Sequence, residues 1–236
     1  MKGYTNFLIN LWSLARYNVR IIFGGRFLYF ILAALIFFLL FGTIMAFEDN
    51  EIYLDDVYAV LAFPAVLLVF YPTAFGIQND ADQRTLEIIF GIPDYRYKVW
   101  LVRFAMVLVL VFVLLIPFAG LAYYALISFP LFKMIMHLMV LVFFASTVAF
   151  AFSTIFKNGN ATAVVMVVLT LAFLILSEPL AESKWNILLN PYNTNISNEL
   201  IWQSTVRENR LIMLGVSLVL LLMGLLNLQG REKFLS

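Results

Sequence analysis

The stretch FLYFILAALIFFLLFGTIMAF, Phe27–Phe47, runs for 21 residues without a charge. At about 1.5 Å of rise per residue it spans roughly 31 Å as a helix, the thickness of a bilayer's hydrocarbon core. A helix packed in a water-soluble protein needs one apolar stripe, whereas this segment is apolar on every side. Lipid is therefore its solvent. Five more apolar runs follow, at Val57–Ile77, Phe104–Ile127, Met134–Phe156, Ala161–Ser177 and Leu211–Gln229. The fifth is at the short end of the usual spanning range and is expected to extend back through Gly159. Composition agrees: 64% of residues are hydrophobic, 12% are charged and the mean hydropathy is +0.96, against about 25% charged in soluble domains. Six spans consume most of the 236 residues. The chain reads as an all-α polytopic membrane protein, one transmembrane domain over 1–236, with no room for a soluble catalytic domain.

Charge sets the expected orientation. Six spans put both termini on one side, and with that side cytoplasmic 11 Lys and Arg lie inside and four outside, the positive-inside bias. Lys133, Lys184, Arg207 and Arg210 are the outer four. The first outer loop, EDNEIYLDD, carries acids and no base. The first 26 residues lack an apolar core ending in a small-residue cleavage site, so no cleavable signal peptide is expected. The chain has no cysteine, which removes disulfides and thiolate metal sites and says little about compartment.

Between the spans the organisation is uneven. Over residues 4–26, Asn6, Asn10, Ser13, Arg16 and Arg20 recur at helical spacing with Trp12 and Leu11 off that stripe, which predicts an amphipathic helix lying in the cytoplasmic interface, in contact with lipid. Residues 78–103 form a long inner loop, helical in character and divided by Gly91 and Pro93. Its first piece opens on Asp80 and Asp82, where the helix dipole favours anions, and ends on apolar Leu86, Ile88, Ile89 and Phe90. A helix that short needs something to hold it. Outside, residues 178–210 contain too many apolar side chains for a free loop, Trp185 and Trp202 among them. They predict short external helices before span six, broken at Asn190-Pro191.

The sequence has no GxxxxGK[ST] phosphate loop, no HExxH, no Gly-x-Ser-x-Gly and no CxxC. No span has an acid or base near its middle, which argues against a proton-coupled carrier, and no cluster of polar residues at one depth suggests an intramembrane enzyme. His137, in span four, reads as a packed residue. Pro64, Pro72 and Pro117 each remove a helix hydrogen bond and permit a hinge. Tyr71, Pro72 and Thr73 form a candidate pathway or hinge lining with Gly76 one turn on, and Thr170 in span five is a further candidate.

At the inner loop the pattern becomes specific. Thr85-Leu86-Glu87, then Pro93, then Arg103 opening span three, resembles the corresponding loop of ABC-2 type exporter permeases. Asp80 stands where that family has its acid; Arg84 replaces its usual Gly, and Arg103 its usual Lys. The interfacial helix, the six spans and the two cytoplasmic ends are similar too. The resemblance implies a permease subunit of a multi-pass cell membrane complex, in a bacterial inner membrane, without a motor of its own. ATP and Mg are bound by separate ABC ATPase subunits, and a second permease subunit, identical or related, completes the pathway. It implies no cofactor in this chain, no enzymatic activity of its own and no nucleic-acid partner. By the same resemblance Asp80, Asp82, Arg84, Thr85, Leu86, Glu87, Ile89 and Phe90 couple to the ATPase, with Trp12, Arg16 and Arg20 of the interfacial helix beside them. The cargo expected is amphiphilic, from the 24 phenylalanines and the uncharged spans. The competing reading is a membrane scaffold or assembly factor that recruits an ATPase through the same loop without bulk transport.

Overall fold

A computed structural model of the chain describes residues 27–47, 51–78, 96–193 and 198–228, with residues 96–99 described by their backbone. Among them are α1 (Phe27–Phe47), α2 (Leu54–Ala74), α3 (Arg96–Ala125), α4 (Leu131–Phe156), α5 (Gly159–Ser177) and α6 (Glu199–Asn227), and no strand. All six are long and apolar enough to cross a bilayer, so the chain is a multi-pass membrane protein. The predicted interfacial helix, the coupling residues Asp80 to Phe90 and the C-terminal charges Arg231 and Lys233 lie outside the described residues.

Several helix ends have a local cause. The backbone N–H of Tyr53 donates to Asp56 Oδ2 at 3.1 Å, and Asp55 and Asp56 sit in the first turn of α2, where the dipole favours anions. Pro130 precedes α4, and Lys157 ends it in the left-handed region (φ 54°). Asn158 then caps α5, its side chain accepting from the N–H groups of Asn160 and Ala161. The short fifth span therefore starts at Gly159, as expected.

Burial separates a centre from a rim. In α2 and α4, 61% of the most apolar window is buried, against 11% in α1 and 17% in α5. α4 packs against α2, α6, α3 and α5, and α2 against α1 and α3. The core joins Leu61 and Leu68 of α2, Val111 and Leu115 of α3, and Leu138 and Val142 of α4. Ser146, Thr147 and Thr154 of α4 are buried with their hydroxyls donating to carbonyls one turn back, which satisfies them without water. Small residues bring α6 close: a Cβ on Gly224 would lie 2.7 Å from the Phe150 ring. Asn227 Nδ2 donates across that contact to the Thr154 carbonyl at 2.9 Å.

The segment before span six differs from the expectation of short external helices. Residues 178–193 are consecutive turns, and α6 starts at Glu199 as one helix of 29 residues, about 43 Å long. Side chains explain the turns. Asn186 Oδ1 accepts from the N–H of Leu188, Asn190 Oδ1 from that of Tyr192, and Ser183 Oγ from that of Trp185, each diverting a donor that a helix would use. Asn198 then caps α6, its side chain accepting from the N–H of Ile201.

Candidate functional site

The end of the bundle that carries Gln78, the start of α3 and the α4–α5 turn is here termed the loop end, and the opposite end, covered by residues 178–193, the cap end. At the loop end α2 is weakened twice. Pro72 offers no N–H to the carbonyl of Leu68, and Thr73 Oγ1 donates to the carbonyls of Val69 (2.7 Å) and Phe70 (3.1 Å). Around this point lies a small, half-open cleft. Pro72 and Thr73 of α2 with Gly76 and Ile77 just past its end form one wall, Trp100, Arg103, Phe104 and Val107 of α3 another, and Phe150 of α4 closes it.

Among the described residues the cleft's one charged lining residue is Arg103. The guanidinium carbon lies 5.6 Å from the centre of the Trp100 ring, a cation–π contact. A Cβ on Gly76 would stand 3.6 Å from the same guanidinium, an ordinary van der Waals distance, so the cation lies beside this point of the chain. Trp100 is buried and its Nε1–H has no hydrogen-bond acceptor. Among the described residues no Asp or Glu lines the cleft.

A second contact fastens this end. Gln78 Oε1 accepts from the N–H of Gly159 at 2.6 Å, joining the end of α2 to the start of α5 across the α4–α5 turn. The Phe75 ring sits in contact with the place a Gly159 Cβ would occupy. This contact ties the chain just after α2 to the start of α5.

Of the candidate pathway residues, Pro72 and Thr73 line the cleft with Arg103. Tyr71 is buried on another face of α2, against Phe30 at 4.9 Å and stacked on Phe75 at 5.3 Å. Thr170 is not brought to this site: it is exposed on α5, its hydroxyl donating to the Met166 carbonyl at 2.8 Å. The ATPase-coupling candidates and Trp12, Arg16 and Arg20 lie outside the described residues.

The cap end holds a polar network that the sequence reading missed. Arg210, read as an outer loop charge, is buried in α6. Its Nη2 donates to Tyr58 Oη and to the Leu189 carbonyl, both at 3.1 Å, which pins the turn segment to α2 and α6. Asn209 donates to the carbonyls of Lys184 (2.9 Å) and Asn186 (2.8 Å), and Asn190 to that of Asp55 (2.8 Å). The rings of Tyr58 and His137 flank Tyr192 at 6.1 and 5.7 Å. Burial pushes the Tyr192 phenol up to about 12, with the nearby Tyr58 adding to the shift and Arg210 opposing it. Seventeen residues separate Arg210 from Asn227, about 26 Å along the helix, which places the guanidinium near the far hydrocarbon boundary. The signal was present as spacing: Trp202, Val206, Arg210, Met213 and Ser217 are all buried, one helical face running unbroken through the charge.

Among the described residues no group of His, Asp and Glu could hold a metal ion. Compared with known proteins, the chain matches no family model, no curated protein and no solved structure.

Proposed function

We propose that this chain is the membrane permease subunit of an ATP-binding cassette exporter, driven by separate ATPase subunits and moving an amphiphilic cargo outward. What supports the reading is the Thr85-Leu86-Glu87 and Pro93 pattern in the stretch of sequence that joins α2 to α3. Arg103, the last residue of that pattern, stands against Gly76 and Trp100. Force applied to the segment from below reaches α2 beside its Pro72 hinge, α3 directly, and α5 through Gln78 and Gly159.

In this reading the loop end faces the cytoplasm, as the distribution of Lys and Arg favours, and the Arg210 network closes the outer side. Leu86, Ile89 and Phe90 seat in a groove of the ATPase, and Glu87 and Asp80 pair with basic residues to transmit its closure. The pathway forms with a second permease subunit.

The test is charge reversal at Glu87. In proteoliposomes holding this chain with its ATPase, Glu87→Arg abolishes cargo-stimulated ATP hydrolysis. Unchanged stimulation removes Glu87 from coupling. Hydrolysis indifferent to every cargo in the unmodified complex favours the scaffold reading instead.

A further inference from the structure

The cap end holds a charge that its hydrogen bonds do not balance. Arg210 is buried, and a guanidinium taken out of water is costly unless an opposite charge and a full set of acceptors replace that water. Its acceptors are all neutral: Tyr58 Oη and the Leu189 carbonyl for Nη2, and for Nη1 the Met213 sulfur at 3.4 Å, a weak acceptor. The Nε–H has no acceptor. Among the described residues no carboxylate forms an ion pair with it; Asp55, one turn before Tyr58, leaves its own Oδ1 buried without a partner. A second hydroxyl of the cluster is unmade. Tyr192 Oη is buried without a partner, and its ring centre is 6.1 Å from that of Tyr58, which bonds Arg210. The other titratable neighbours, Tyr58 and His137, are types that carry no negative charge at pH 7. The charges that act on His137 are those of Arg210 and Lys133, both positive. Asn209 Oδ1, also orphaned, is an acceptor and takes no part in holding an anion.

From a buried, uncompensated guanidinium and these unmade donors, we propose that the cap end binds chloride, held between Arg210 and the Tyr192 hydroxyl. Orphaned buried polar groups mark the place of a water or an ion. A water would satisfy the Nε–H and leave the charge as it is, whereas an anion supplies acceptor and counter-charge together. Two donors suit a monatomic ion; a phosphate or carboxylate presents several oxygens that would go unmade here. The position near the far hydrocarbon boundary keeps the site within reach of ions from that side, and the low dielectric strengthens the attraction. Chloride so held adds one more tie between the turn segment, through Tyr192, and α6, through Arg210. The inference concerns binding by this chain alone and stands whether or not the chain moves cargo.

The test uses the purified full-length chain in a neutral detergent, with sodium gluconate exchanged for sodium chloride at fixed ionic strength. It reads the unfolding temperature, which a ligand of the folded state raises. Chloride raises it; gluconate, a much larger anion, and inorganic phosphate at the same ionic strength do not. Tyr192→Phe breaks no hydrogen bond of the network. It is at least as stable as the unmodified chain in gluconate, and it needs at least tenfold more chloride for the same rise, the equivalent of about 1.4 kcal/mol. Arg210→Gln loses the response, and Lys133→Gln, which removes an exposed charge, keeps it. No difference between chloride and gluconate overturns the proposal, as does a response in Tyr192→Phe equal to that of the unmodified chain. An equal loss in Lys133→Gln overturns it too, since chloride would then be a diffuse counter-ion. A phosphate response as large as that of chloride overturns the halide assignment. If Arg210→Gln fails to fold, Tyr192→Phe decides, with chlorine NMR linewidths as the second reading. Broadening by the unmodified chain and not by Tyr192→Phe supports the site; equal broadening contradicts it.

Discussion

Replacing Gly159 by alanine adds one methyl group at the point where α2, α4 and α5 meet. The backbone there is outside the left-handed region, so space alone decides the outcome. The new Cβ would collide with the Phe75 ring and stand 2.8 Å from Gln78 Oε1. The ring has little freedom to yield, being stacked on Tyr71 at 5.3 Å and edge-on to Phe70 at 6.3 Å. Overpacking of this kind costs about 1–3 kcal/mol. Displacing Gln78 also strips the Gly159 N–H of its acceptor, for about 1–3 kcal/mol more. Alanine's better helix propensity returns about 1 kcal/mol. The net loss is about 1–5 kcal/mol, and a central value near 3 lowers the unfolding temperature by about 6–12 °C for a chain of this size. The assay is thermal unfolding in detergent, with Gly215→Ala as control because nothing lies within 4 Å of its added Cβ. In a Phe75→Ala background the Gly159→Ala penalty shrinks, the non-additivity expected of residues in contact. A Gly159→Ala protein as stable as its parent, or an equal penalty with and without the Phe75 ring, refutes the packing argument.

Four further outcomes concern the cap end, all read in chloride-free buffer. Tyr58→Phe removes an acceptor of the buried Arg210 guanidinium and destabilises by about 1.5–3 kcal/mol, whereas Tyr192→Phe removes a buried hydroxyl that has no partner and is neutral or slightly stabilising by the same denaturation assay. The folded-state pKa of Tyr192, about 12, lies above its unfolded value near 10, so its contribution is fully present below pH 10 and is lost as pH rises toward 12; Tyr192→Phe flattens that part of the stability profile. Asn198→Ala removes the cap of α6 and costs about 1 kcal/mol, read as faster amide exchange over residues 199–203.

Much of the fold is legible in the chain because membrane spans are encoded by length and composition. The run Phe27–Phe47 coincides with α1 residue for residue, since every backbone polar group in lipid must be satisfied within the helix. The cap end was harder. Trp185, Ile187 and Leu188 carry enough apolar surface to suggest helices, but Ser183, Asn186 and Asn190 bond to N–H groups two residues on. That competition between side chain and backbone is settled locally, and composition does not report it. Arg210 was misplaced for a related reason: a charge at the edge of an apolar run reads as a boundary, yet Asn198 starts the helix 12 residues earlier and carries Arg210 into the protein.

The candidate site divides the same way. Pro72 and Thr73 are visible because proline marks a missing hydrogen bond in any helix. Their partners Trp100, Arg103 and Phe150 lie 27 or more positions along the chain and are joined to them by tertiary packing alone. Thr170 shares a residue type with Thr73 but lies on the exposed face of a peripheral helix, and both hydroxyls serve their own backbone.

The most direct test of a motor-driven permease is isolation of the intact chain from its own membranes in mild detergent, with ATP hydrolysis assayed on the captured material. The account predicts that an ABC ATPase accompanies the chain and that deletion of residues 80–90 removes both the protein and the activity while the chain still inserts in the membrane. A chain that never carries a nucleotide-hydrolysing partner, or one that keeps it after the deletion, contradicts the account.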